Sequence, residues 1–145
     1  MPRYTSQGIV YQLLIAVAAK QDLATIGVDA PDTEAEILGL LQELKGSQLL
    51  LDSLTVKDYG LTRDAKFHVD VWGKQQNKGR NLWRLKIWSL EEHGIRYRVV
   101  YALDPRNSRY YILAILHRDF DYDEKHPRVQ QLLAAYDRLG IPTFR

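Results

Sequence analysis

The chain has 145 residues, 46% apolar and 26% charged, an ordinary globular composition that argues against disorder and fits one domain. Cysteine is absent, which excludes a disulfide framework, thiolate catalysis and cysteine-ligated zinc or iron–sulfur centres, and suits a reducing, cytoplasmic setting. The formal net charge of +2 is too small to imply a partner by itself.

The longest apolar run, residues 9–19, is interrupted by Gln12 and falls short of the ~20 residues of a membrane-spanning helix. Arg3 and the small residues Ala16-Val17-Ala18 imitate a secretion signal. A single arginine is a meagre positive segment, however, and the run reads as a helix facing a core, so neither secretion nor a membrane is expected. Val10, Leu13, Leu14 and Val17 recur at i, i+3, i+4 and i+7 and predict an amphipathic helix. A loop around Asp29-Ala30-Pro31 leads to Thr33, an N-cap with Glu36 three residues on. Ile37, Leu40, Leu41 and Leu44 then repeat the helical stripe, and Gly46 stops it. Residues 47–65 are less legible; Leu49-Leu50-Leu51 suits a helix end or a short strand.

After Lys66 the period changes to two. Phe67, Val69 and Val71 alternate with His68, Asp70 and Trp72, as in a half-exposed strand. A polar turn over 73–81 separates this segment from Trp83, Leu85 and Ile87, which alternate with Arg84, Lys86 and Trp88. A hairpin connection at Glu91-Glu92-His93-Gly94 leads to Tyr97, Val99, Tyr101 and Leu103. Asp104-Pro105-Arg106-Asn107 is a turn, since Pro presets φ and Asp and Asn bond their own backbone. Residues 110–116 are apolar at both parities, as in a strand covered on both faces. Pro127 opens a last helix carrying Val129, Leu132, Leu133, Tyr136 and Leu139, ended by Gly140 and Pro142. The expectation is a single α+β domain over 1–145. Two N-terminal helices pack on one face of an antiparallel sheet of three to four strands, with the core sheet at 80–122 and a C-terminal helix at 126–140.

Charge is concentrated. Residues 78–118 hold nine Lys and Arg against three acidic residues, the footprint of a polyanion site or of solvated strand edges guarded by basic side chains. If Trp83, Leu85, Ile87, Tyr97, Val99 and Tyr101 face the helices, then Arg84, Lys86, Arg96 and Arg98 crowd the opposite face. Such crowding repels unless an anion or a carboxylate sits among the cations. The third core strand runs into His117-Arg118 and on to Tyr122, which together offer a titratable group, a fixed cation and a hydroxyl. These are parts for phosphodiester cleavage without a metal, in which one group takes a ribose 2′-hydroxyl proton and cations hold the transition state. Equally, Asp119 and Asp121 could make Arg118 a plain ion-pair partner. His68 and His93 lack metal-ligand spacing and read as surface histidines. Asp119, Asp121 and Asp123 lack the Gly and Glu of a calcium loop. Trp72, Trp83 and Trp88 suit stacking on bases or burial in the core.

The segments Leu82-Trp83-Arg84-Leu85-Lys86-Ile87, Tyr97-Arg98-Val99-Val100-Tyr101 and Ile112-Leu113-Ala114-Ile115-Leu116-His117-Arg118 through Tyr122 resemble the RelE/ParE toxin superfamily over residues 80–122. The resemblance implies a RelE-like fold and a toxin of a toxin–antitoxin system, a ribosome-associated mRNA interferase. Its partners would be mRNA, the ribosome and a cognate antitoxin protein, with no cofactor and no metal. It implies roles for Arg84 and Lys86 as the basic pair of the first core strand and for Arg98 at the scissile phosphate. Arg118 would support the transition state, Tyr122 would orient or stack the base, and His117 would be a proton-transfer candidate. The alternative is a ParE-like or catalytically inactive module that grips a protein such as gyrase or an antitoxin. The family's first strand, ahead of its helices, has no evident counterpart in residues 1–8.

Overall fold

Leu13 is 2% exposed and its neighbour Leu14 41%, an alternation that belongs to a strand. In the computed structural model, which describes residues 9–120 and 123–143, β1 (Gln12–Ile15) replaces the start of the helix expected over this run. It pairs in parallel with β5 (Arg109–His117), from Gln12 opposite Arg109 to Ile15 opposite Ile112. Four residues are too few for a period of 3.6 to be distinguished from a period of 2, and an open sheet edge decides between them.

The helix α1 (Val17–Asp29) follows, and the single residue Ala30 joins it to α2 (Pro31–Lys45). Pro31 occupies the first helical position in place of the Thr33 cap expected from sequence; Thr33 lies buried in the first turn. Proline fits there because its φ is preset and a first-turn N–H has no helical partner. Ile37, Leu40, Leu41 and Leu44 are buried as anticipated, and the Gly46 N–H closes the helix on the carbonyls of Gln42 and Glu43. Ser47 then accepts a hydrogen bond from the Leu50 N–H at 3.1 Å, so the leucine triplet is helical, in α3 (Gln48–Ser53). The remaining elements are β2 (Phe67–Val71), α4 (Gly73–Gln76), β3 (Leu82–Ile87), α5 (Trp88–Glu91), β4 (Tyr97–Asp104) and α6 (Pro127–Arg138).

The architecture is α+β. Among the described residues the sheet has five strands in the order β1-β5-β4-β3-β2, antiparallel except for β1 with β5. It is thus wider than the three to four strands expected, and mixed, because β1 adds a parallel edge. One face carries the larger core, in which Leu23, Ile37, Leu41 and Leu51 meet Val69, Leu85, Val99 and Tyr101. The wholly buried Tyr101 hydroxyl donates to the Leu54 carbonyl. Burial holds its pKa well above the ordinary value, so it remains a neutral donor that ties α3 to the sheet. On the other face α6 packs Val129, Leu132 and Tyr136 on Trp72, Leu82, Val100, Ala102 and Leu116. No helix among the described residues is long and apolar enough to cross a membrane.

The apolar run in β5 conceals a bulge. Val100 pairs with Ala114 but Tyr101 with Ile112, leaving Leu113 as the extra residue. Leu113 and Ala114 therefore both join the α6 cluster, while Ile112 and Ile115 join the other, and the parity of everything downstream is reversed. Beyond Ile112 the edge of β5 has left its β1 ladder, and an ion pair satisfies its backbone instead. Asp22 of α1 accepts from the Ile115 N–H at 3.0 Å, and Arg128 of α6 donates to the Leu113 carbonyl at 2.8 Å. Arg128 and Asp22 meet at 2.7 Å with side chains 16% and 17% exposed. Removing one member of such a pair leaves a desolvated charge and an open sheet edge. Asp22→Ala is expected to cost about 2–4 kcal/mol, read as a lowered urea midpoint with the far-ultraviolet spectrum retained.

Candidate functional site

Alternation along β3 and β4 does what the sequence pattern requires of it. Trp83, Leu85, Ile87, Val99 and Tyr101 all enter the larger core, which turns Arg84, Lys86 and Arg98 to the other face. There, beyond the reach of α6, a depression of about 270 Å³ is lined by His68, Asp70, Arg84, Leu85, Lys86, Glu91, Arg98 and Arg118. Four cations drawn from two strands and the turn after β5 thus share one hollow. Arg96 precedes β4 and is exposed outside it.

The members are held differently. Arg84 is buried at 8% exposure, directly opposite Asp70 in the ladder, and it donates to the Val71 carbonyl at 3.4 Å. Arg98 donates to Glu91 at 3.0 Å, with the two side chains 13% and 15% exposed. The Lys86 ammonium stands 4.9 Å from the centroid of the Trp88 ring, a favourable cation–π distance. Arg118 begins the 3-10 turn Arg118–Phe120, its N–H held by the Arg96 carbonyl at 2.8 Å. It is exposed, and its side chain has no ion-pair partner among the described residues. Among the described residues of the lining, Asp70 and Glu91 are the carboxylates that crowded cations require, and four cations stand against these two.

His117 does not join them. The bulge at Leu113 turns it to the α1 side, where its ring meets Tyr97 edge-on at 5.6 Å and its Nδ1 accepts from the Asp119 N–H at 3.2 Å. It lines a separate hollow beside Asp22, Phe120 and Arg128. Tyr122 lies outside the described residues. Other members of the basic stretch serve the packing of α6 and the β4–β5 turn. Arg80 grips Asp137 through Nε and Nη2, both at 3.0 Å, Lys78 meets Glu124, and Arg106 meets Asp104. These contacts lower the pKa of Asp137, Glu124 and Asp104 and raise that of Arg80 and Arg106.

Two parts of the site have weak signals in sequence. His68, expected at the surface, is 8% exposed. Its parity in β2 matches that of Asp70, and its ladder partner is Lys86, so the alternation pattern places it correctly once β2 is paired with β3. Asp58, which contacts His68, sits in the turn-rich segment before β2 and has no periodicity to betray it. Trp72 and Trp83 are buried, whereas Trp88 borders the site. Among the described residues, no group of three or more His, Asp and Glu is placed to hold a metal ion. Comparison with protein-family models, curated proteins and solved structures finds no match to this chain.

The arrangement can bind a phosphate. A buried Arg84 and an Arg98 already fixed by Glu91 cost little reorganisation when an anion arrives, and the exposed Arg118 adds a further cation to the same lining. Neutralising Glu91 removes one competing charge at contact distance. Glu91→Gln is expected to tighten binding of a short polyphosphate about three- to tenfold at low salt, from a charge interaction of about 1 kcal/mol. Fluorescence anisotropy checks it, with the gain shrinking as salt is added.

Proposed function

We propose that this chain is an endoribonuclease of RelE type, cleaving mRNA without a metal by attack of the ribose 2′-hydroxyl on the adjacent phosphodiester. The observation that carries the reading is the convergence of Arg84, Lys86, Arg98 and Arg118 on one hollow. Scattered solubilising charges have no reason to point into a shared concavity. The order of elements adds support: a strand, a pair of helices, then antiparallel strands and a final helix, with β1 standing where the family resemblance expects a first strand.

In this reading Arg84 and Arg98, held by their neighbours, set the position of the scissile phosphate. Arg118, exposed at the rim, adds charge as the pentacoordinate transition state gathers it, and the ammonium of Lys86 neutralises the adjoining phosphate oxygen. A gyrase- or antitoxin-gripping module would use the same cations as a surface for acidic side chains.

Expression in a bacterial host separates these readings. The wild-type chain is expected to arrest growth and fragment mRNA. Arg98→Ala and Arg118→Ala are each expected to reduce cleavage about 100-fold or more, the scale of a lost transition-state donor, and to relieve the arrest. Arrest without RNA fragments, accompanied by gyrase inhibition, would instead favour the gripping module. Equal toxicity of wild type and variants would refute the role of the cations.

A further inference from the structure

Arrays of guanidinium groups bind and stabilise charge but do not exchange protons near neutrality, and His117 faces away from the hollow. We infer that His68 is the general base of this site, with Asp58 as its positioning residue, an inference that rests on the ribonuclease reading.

His68 is in the wall of the cationic hollow, and everything around the ring fixes its orientation. Its Nε2 lies 3.0 Å from Asp58 Oδ1. The carboxylate can only accept, so Nε2 carries the proton and Nδ1 keeps the lone pair. Among the described residues, no group bonds Nδ1. The imidazole lies almost flat against the Trp88 indole, with centroids 5.8 Å apart and planes 7° apart.

The segment supplying Asp58 is built onto β2 by the same residues. The Asp58 N–H donates to the Val69 carbonyl at 2.8 Å, the Val69 N–H to the Tyr59 carbonyl at 2.9 Å, and Trp88 Nε1 to the Gly60 carbonyl at 2.8 Å. Asp58 holds φ at 65°, a left-handed conformation that Asp tolerates better than most residues. A Cβ at Gly60 would lie 1.8 Å from the Phe67 carbonyl oxygen, so only glycine permits this approach. A surface histidine needs none of this. A carboxylate on one imidazole nitrogen, a clamped ring and a second nitrogen left for a substrate form the nucleophile-activating arrangement of acid–base enzymes.

The step balances within the site and solvent. Nδ1 takes the 2′-hydroxyl proton, the 2′-oxygen bonds to phosphorus, and the P–O5′ bond breaks. Water protonates the departing 5′-oxygen, and the imidazolium returns its proton to the hydroxide so formed. The products are a 2′,3′-cyclic phosphate and a 5′-hydroxyl.

The test uses an RNA oligonucleotide with one ribose among deoxyriboses, offered free and in the decoding site of purified ribosomes. His68→Gln is expected to lower kcat by roughly 100- to 10 000-fold with the thermal midpoint of the fold kept. In His68→Ala, added imidazole is expected to restore part of the rate, which a packing role would not allow. Asp58→Asn, which tolerates the same φ, is expected to lower kcat while leaving KM unchanged. His93→Gln, in the exposed turn after α5, serves as the unaffected control. Wild-type-like cleavage by His68→Gln, or a loss in His68→Ala that imidazole does not relieve, overturns the inference and leaves the ribonuclease reading standing. No cleavage by the wild-type chain in either presentation overturns both.

Discussion

One extra residue in β5 decides what the end of that strand presents. Strict alternation from Tyr110 would carry His117 to the face of the cationic hollow. Because Leu113 is bulged, His117 turns to the α1 side and the chain then delivers Arg118 to the hollow. A bulge on an edge stretch leaves backbone groups to satisfy, and here the satisfaction comes from Asp22 and Arg128, one from each helical layer. The same ion pair that joins α1 to α6 therefore sits at the bulge that sends Arg118, and not His117, to the cationic hollow.

The hollow exists because the two faces of the sheet are covered unequally. A helix is about 10 Å across and shades roughly two strands at their ~4.8 Å spacing. The first face has α1, α2 and α3, while on the second, among the described residues, α6 is the long helix that packs on the sheet. That helix covers the β5 end and the start of β3, through Leu82, Val100, Ala102 and Leu116, and the β2–β3 corner remains for polar side chains. The basic residues divide accordingly. Lys78, Arg80 and Arg106 are used up against Glu124, Asp137 and Asp104 around α6 and its neighbouring turn, and Arg84, Lys86, Arg98 and Arg118 are gathered at the corner.

Sequence pattern goes furthest where the period is long and clean. The leucine stripe of α2, the alternation through β3 and β4, and the Pro127 start of α6 all transfer directly to the structure, and with them the common face of Arg84, Lys86 and Arg98. It falls short where tertiary pairing overrides a short local pattern. Residues 12–15 are too few to separate a helical stripe from a strand, and pairing with the edge of β5 makes them a strand. The β5 bulge is invisible because an all-apolar run has no parity to break. His68 shows the right parity but no hint of a partner, since Asp58 lies in a turn whose position depends on backbone bonds to Val69 and Trp88.

Strand β3 is anchored at both ends. Before it, Asn81 bonds the Tyr136 hydroxyl, the Leu103 carbonyl and the Trp83 indole; after it, Trp88 is fastened to Gly60. Neither end has slack to absorb a change of length, and the strand has a ladder on each side. A single-codon insertion or deletion inside it would exchange the greasy and the charged sets wholesale, so relatives of this chain should vary here by replacement, with length changes confined to the turns that flank it.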